Sequence, residues 1–171
     1  PMAEARAVYG SAAPAEERTR PPEGLPRLGH AIAQIHGVYI LAESERGLIL
    51  VDMHDAHERI VYEKLKHQYT EQGIARQPLL VPIMLNVTPA EADLAEDSQQ
   101  LLDRVGLEID RAGPEQIRLR AVPALLAKAD AEALLRDVLA DLRSGEGSAA
   151  IDDRIAHLLA TMGCHGSVRA N

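Results

Sequence analysis

Residues 48–67 read Leu-Ile-Leu-Val-Asp-Met-His-Asp-Ala-His-Glu-Arg-Ile-Val-Tyr-Glu-Lys-Leu-Lys-His, and the change of pattern within them decides the fold class. Leu48 to Asp52 is a short apolar run of the kind that forms a largely buried strand. Helical periodicity begins at about Met53 and runs to His67, with Ile60, Val61 and Leu65 as candidates for the buried side. Upstream, apolar content rises from Leu28 to Ala42, and Glu43 to Gly47 forms a polar turn. The expectation is two paired strands, the second largely buried, handing over to a helix.

Working outward, Gln77 opens a second block, Gln-Pro-Leu-Leu-Val-Pro-Ile-Met-Leu-Asn-Val. Proline donates no ladder hydrogen bond, so Pro78 and Pro82 make this an edge strand or an extended recognition segment. Thr88-Pro-Ala-Glu91 is a capping-box start with proline at the first helical position, and Gly106 is the expected stop. Leu107 to Arg111 and Ile117 to Ala121 alternate around Ala112-Gly113-Pro114, which predicts a hairpin with one polar face. Leu134, Leu135, Val138, Leu139 and Leu142 form a helical stripe, and Ser144 to Ser148 a loop. A last helix carries Ile151, Ile155, Leu158, Leu159 and Met162 and ends near Gly163. Hairpins and helices in this order predict an α+β fold.

The chain has 171 residues, 46% of them hydrophobic, enough for one sizeable core or two small lobes sharing one. Aromatic residues are only 2%, so that core is built from Leu, Ile, Val and Ala. A formal net charge of -8 works against autonomous tight DNA binding, which needs clustered cations to release counterions. Any DNA must then be presented by another domain or offset by metal ions. The single cysteine, Cys164, excludes an intramolecular disulfide and fits a reducing compartment, and no apolar run is long enough for a membrane span, so the expected location is the cytoplasm. Residues 1–26, rich in Ala, Pro, Glu and Arg, read as a linker from an upstream domain. Pro1 ahead of Met2, and a stop at Asn171 with no closing element, suggest a fragment.

The densest chemistry lies where the strand meets the helix. His54 and Glu58, four apart, share a helical face, and Asp52 at the strand end is placed to converge with them. One imidazole and two carboxylates suit Zn²⁺ or Mn²⁺ better than Ca²⁺ or Mg²⁺. The residues alone leave a second reading open, in which Asp52 caps the helix, Glu58 pairs with Arg59 or Lys64, and the histidines are solvated.

Asp52-Met-His54-Asp-Ala-His-Glu58-Arg-Ile-Val-Tyr-Glu63 resembles the D-Q-H-A-x-x-E-x-x-x-x-E motif of the MutL family of bacterial DNA mismatch repair proteins. Asp52, His54, Glu58 and Glu63 match; Met53 stands for Gln and Asp55 for Ala, adding a carboxylate. Ala160-Thr-Met-Gly-Cys164-His165-Gly-Ser-Val-Arg169-Ala170 resembles the family's second motif, A-C-[RH]-x-x-[AV]-[RK]-A. A third motif, C-P-H-G-R-P, does not occur in the chain. Gln77-Pro78-Leu79-Leu80-Val81-Pro82 resembles the segment by which the family docks on the replicative sliding clamp, through Gln77, Leu79, Leu80 and Pro82.

The resemblance implies a metal-dependent endonuclease that nicks one DNA strand. Asp52, His54, Glu58 and Glu63 would be catalytic, with Asp52, His54, Glu58 and Cys164 as ligands to Zn²⁺ and/or Mn²⁺. His165 and Arg169 would stand behind them or face phosphates. It implies a dimerisation lobe with a mixed sheet and helices, formed by residues 27–76 and 150–171, and an inserted external regulatory lobe at residues 77–149. The implied partners are a second copy, the sliding clamp, the mismatch-recognition protein MutS, and DNA held by an upstream ATPase domain, in a nucleoid-associated setting. The alternative is a non-catalytic dimerisation and clamp-binding module.

Overall fold

The computed structural model describes residues 28–71, 73–144 and 151–166. The expected linker, most of the 144–148 loop and Arg169 lie outside the described residues. An antiparallel meander comes first: β1 (His30–Ile35), β2 (Tyr39–Ser44) and β3 (Gly47–Asp52), in that spatial order. This is three strands where two were expected. The chain reverses at His36 and Gly37, whose φ values of 51° and 71° are both left-handed, as a tight hairpin turn requires. Each strand follows its neighbour through a short turn, so the sheet is antiparallel and not mixed.

Helix α1 (Met53–Glu71) follows β3 directly and runs past His67. Val61 and Leu65 are buried as expected, but Ile60 is exposed. β4 (Arg76–Asn86), β5 (Glu108–Gly113) and β6 (Gln116–Pro123) form a second antiparallel sheet with β6 central. Between β4 and β5 lie α2 (Pro89–Asp97), with the predicted Thr88/Glu91 capping box, and α3 (Gln99–Arg104). Gly106 ends this pair at φ 88°, where an added Cβ would stand 2.8 Å from Ile74 Cγ2, so glycine is required on two counts. After β6 come α4 (Ala131–Ser144), with all five stripe residues buried, and α5 (Ile151–His165), which runs beyond Gly163.

Buried residues from both halves form one core, in which Val61 and Leu65 of α1 join Leu85 and Leu119 of the second sheet and Leu158, Leu159 and Met162 of α5. Helix α5 packs on both α1 and α4. The first sheet departs from expectation: Leu48 is 70% and Leu50 59% exposed, and every residue of β1 is exposed. Its apolar content is set for burial, but nothing among the described residues covers that face.

Candidate functional site

The strand-to-helix junction is fixed by Asp52. Its Oδ1 accepts from the His54 amide at 2.8 Å and the Asp55 amide at 3.4 Å, so it caps α1 and meets the positive end of the helix. This is the capping role that the residues alone left open. One turn apart on α1, His54 Nε2 and Glu58 Oε1 lie 3.0 Å from each other.

Glu58 has a second partner, from far along the chain. Cys164 on α5 donates its thiol hydrogen to the Glu58 carboxylate; burial first, and then the Glu58 charge and this bond, push the thiol up. Helix α5 meets α1 at Gly163, where an added Cβ would make ordinary contact, 3.4 Å from the Glu58 carbonyl oxygen and 3.5 Å from Tyr62 Cβ. His54, Glu58 and Cys164 therefore form a chain of contacts centred on Glu58.

The other candidates lie elsewhere. Glu63 is rotated roughly 140° around the helix from Glu58 and forms an ion pair with Arg59. His165 bonds Asp137 of α4 at 2.9 Å and is 16% exposed, so it ties α5 to α4 and does not face outward. Among the described residues no three His, Cys, Asp or Glu side chains form a ready metal cage. The bond to Glu58 keeps the hydrogen on the Cys164 thiol, and His54 Nε2 points at the same carboxylate, so a cation would have to displace these contacts. Sequence reasoning missed Tyr62, whose Cβ lies beside Gly163 and whose ring carries Arg59 and Lys66 at 5.3 and 5.8 Å from its centroid. Its spacing of four from Glu58 was the available signal.

The segment from Gln77 to Pro82 lies on β4, an edge strand as its prolines predicted. Pro78 pairs with Ala121 and Ile83 with Leu119, so Leu79 to Pro82 bulge out opposite Arg120 alone. Leu80 is 100% exposed, while Leu79 packs partly against the core. Gln77 is exposed and its side-chain amide donates to the Pro78 carbonyl at 3.2 Å.

A family model described as the MutL C terminal dimerisation domain matches residues 32–171. The chain belongs to the MutL family. It is 56% identical over 153 residues to the DNA mismatch repair protein MutL of Xanthomonas axonopodis pv. citri (strain 306), covering 90% of the chain and 24% of that relative. The protein of the same name from Azotobacter vinelandii (strain DJ / ATCC BAA-1303) is 53% identical over 88% of the chain and 23% of its own length. That from Pseudomonas fluorescens (strain SBW25) is 48% identical over 100% of the chain and 28% of its own length. The chain thus spans about a quarter of the length of these MutL relatives. As a MutL dimerisation domain it has a ready reason for an uncovered apolar sheet. No helix among the described residues is long and apolar enough to cross a membrane.

Proposed function

We propose that this chain is the dimerising, DNA-nicking module of a mismatch repair protein, with a Zn²⁺ or Mn²⁺ site built on His54, Glu58 and Cys164 and completed by Asp52. The observation that carries the reading is the meeting of Glu58 with both His54 and Cys164, which brings the two motifs, far apart in sequence, to one carboxylate. An imidazole, a carboxylate and a thiol form a donor set of the right softness for these ions. When bound, such an ion polarises a phosphodiester oxygen and lowers the pKa of water.

The protein's own share is positional. Glu58 holds His54 and Cys164 toward one point, and Asp52 fixes the start of the helix that carries both acid and imidazole. Glu63 acts at one remove, by orienting Arg59. In the native protein, Glu58→Ala should abolish Mn²⁺-dependent nicking of plasmid DNA and reduce bound metal measured by mass spectrometry. Undiminished nicking would sink the assignment.

The same reading gives the other surfaces their roles. The exposed face of β1 to β3 meets a second copy of the chain. The bulge at Leu79 to Pro82 inserts Leu80 into the sliding clamp while Gln77 sets the register, a mode suited to an extended segment on a sheet edge. DNA and MutS reach this module through an upstream ATPase domain. Residues 77–149 form the external regulatory lobe, and 27–76 with 150–171 the dimerisation lobe. The lack of a ready metal cage among the described residues favours, as the second reading, a non-catalytic dimerisation and clamp-docking module; a metal-free native protein that still dimerises would establish it.

A further inference from the structure

Among the described residues, the cations of this acidic chain fall into paired and unpaired groups. Most arginines of the second half are neutralised in place: Arg76 by Asp103, Arg111 by Asp93 and Glu96, Arg118 and Arg120 by Asp110, Arg136 by Glu132, and Arg143 by Glu91. Lys66, Arg104 and Arg154 make no ion pair among the described residues, and they are not scattered. Lys66 sits over the Tyr62 ring and Arg104 over the Tyr69 ring, 4.9 Å from its centroid. Arg104 and Arg154 line one open groove of about 290 Å³ with Asp97, Gln100 and Leu101. Arg46, Lys64 and Lys128 are also unpaired among the described residues, but none of them stands over a ring or lines that groove.

Position gives the pattern its meaning. Tyr62 lies one turn beyond Glu58 on α1, and Tyr69 two turns further. The two rings, each carrying a cation, thus continue the line of the candidate site down the helix. Arg59 shares the first ring, although Glu63 takes part of its charge. From residue 59 to residue 69 the helix rises about 15 Å, which matches about four phosphates of one duplex strand at roughly 3.4 Å each. A cation held over a ring is oriented without being neutralised, because the ring has a quadrupole and no net charge.

We infer that Lys66, Arg104 and Arg154, with Arg59 at the site end, form a track for the phosphate backbone of the DNA strand, running from Glu58 along α1 to the groove beside α3. This rests on the nicking function proposed above and adds how the strand is held. The acidity of the chain favours this path over the second sheet, where carboxylates already occupy the arginines. The three are positioning residues, holding the strand without touching the reacting bond.

The test uses the native full-length protein carrying Lys66→Gln, Arg104→Gln and Arg154→Gln together, which keeps the side-chain stems. Binding to duplex DNA is followed by fluorescence anisotropy across a salt series, with Arg46→Gln as an off-track control. Each lost phosphate contact should reduce the slope of log affinity against log salt by about 0.9, so the triple variant loses about three and the control nothing. Melting temperature and metal content should match the unaltered protein. An unchanged slope, or a loss in Arg46→Gln equal to the per-residue loss of the triple variant, overturns the track. The nicking reading is scored separately by Glu58→Ala: if that variant still nicks while the triple variant loses slope, the track stands as a DNA contact and the metal site falls.

Discussion

The two sheets of this domain are made of similar apolar residues and end in opposite conditions. In the second sheet, Ile117, Leu119, Ala121 and Val122 of β6 are all buried beneath helices, and Asp110 is bonded by Arg118 and Arg120. In the first sheet, Ile32, Leu48 and Leu50 face outward, and β1 is exposed along its whole length. A strand run such as Leu-Ile-Leu-Val specifies that burial is wanted but not who supplies the cover. The second sheet is covered within the chain. The first is not covered by any of the described residues, and the chain's membership of a dimerisation-domain family makes a second copy the natural cover to test.

The sharpest test of this contrast is to make the same change in both places. Leu119→Ala, in the closed core, should cost about 2–5 kcal/mol in chemical denaturation because a cavity remains. Leu50→Ala, on the open face, should change the stability of the isolated protomer by no more than about 0.5 kcal/mol. Equal costs would break the comparison. A next smaller effect is expected from Leu48→Glu with Leu50→Glu, which should leave the protomer folded but weaken self-association at least tenfold, about 1.4 kcal/mol, in sedimentation equilibrium. If association is unaffected, the second copy covers some other face.

These outcomes also show why part of the molecule was legible in sequence and part was not. The Thr88/Glu91 capping box, the stripe of α4 and the hairpin of β5 and β6 are local patterns whose partners lie within the same chain, and each formed where its spacing required. The turn at His36 and Gly37 was hidden because His-Gly is a weak hairpin signal beside Asn-Gly or Asp-Gly, so two strands read as one. At the site, His54 and Glu58 were legible as an i, i+4 pair. That Cys164 meets Glu58 was available only through family resemblance, since no periodicity links α1 to α5. Asp52 shows a limit of composition: the same carboxylate suits a metal and a helix cap, and only geometry tells which bond it makes. His165 of α5 is tied to α4 in the same way, through a partner, Asp137, that spacing does not reveal.

The smallest expected effect concerns charge, and it probes the closed half from within. Hydrogen bonds from Arg118 and then Arg120 hold the Asp110 carboxyl far below its ordinary value of 3.8. Because the folded value is lowered, the carboxylate stabilises the fold fully above about pH 4, and this contribution is lost as pH falls from there toward the folded value. The three side chains are all partly exposed, so water screens the pairs, and Asp110→Asn should cost under about 1 kcal/mol at pH 7. The gap between the unaltered protein and Asp110→Asn in urea unfolding should stay constant from pH 7 to about pH 5 and narrow at pH 3. A gap that does not narrow would mean that Asp110 contributes by shape alone. In that case the second sheet owes its closure to Leu119 and its neighbours, and the difference between the two sheets reduces to which of them finds its apolar cover within the chain.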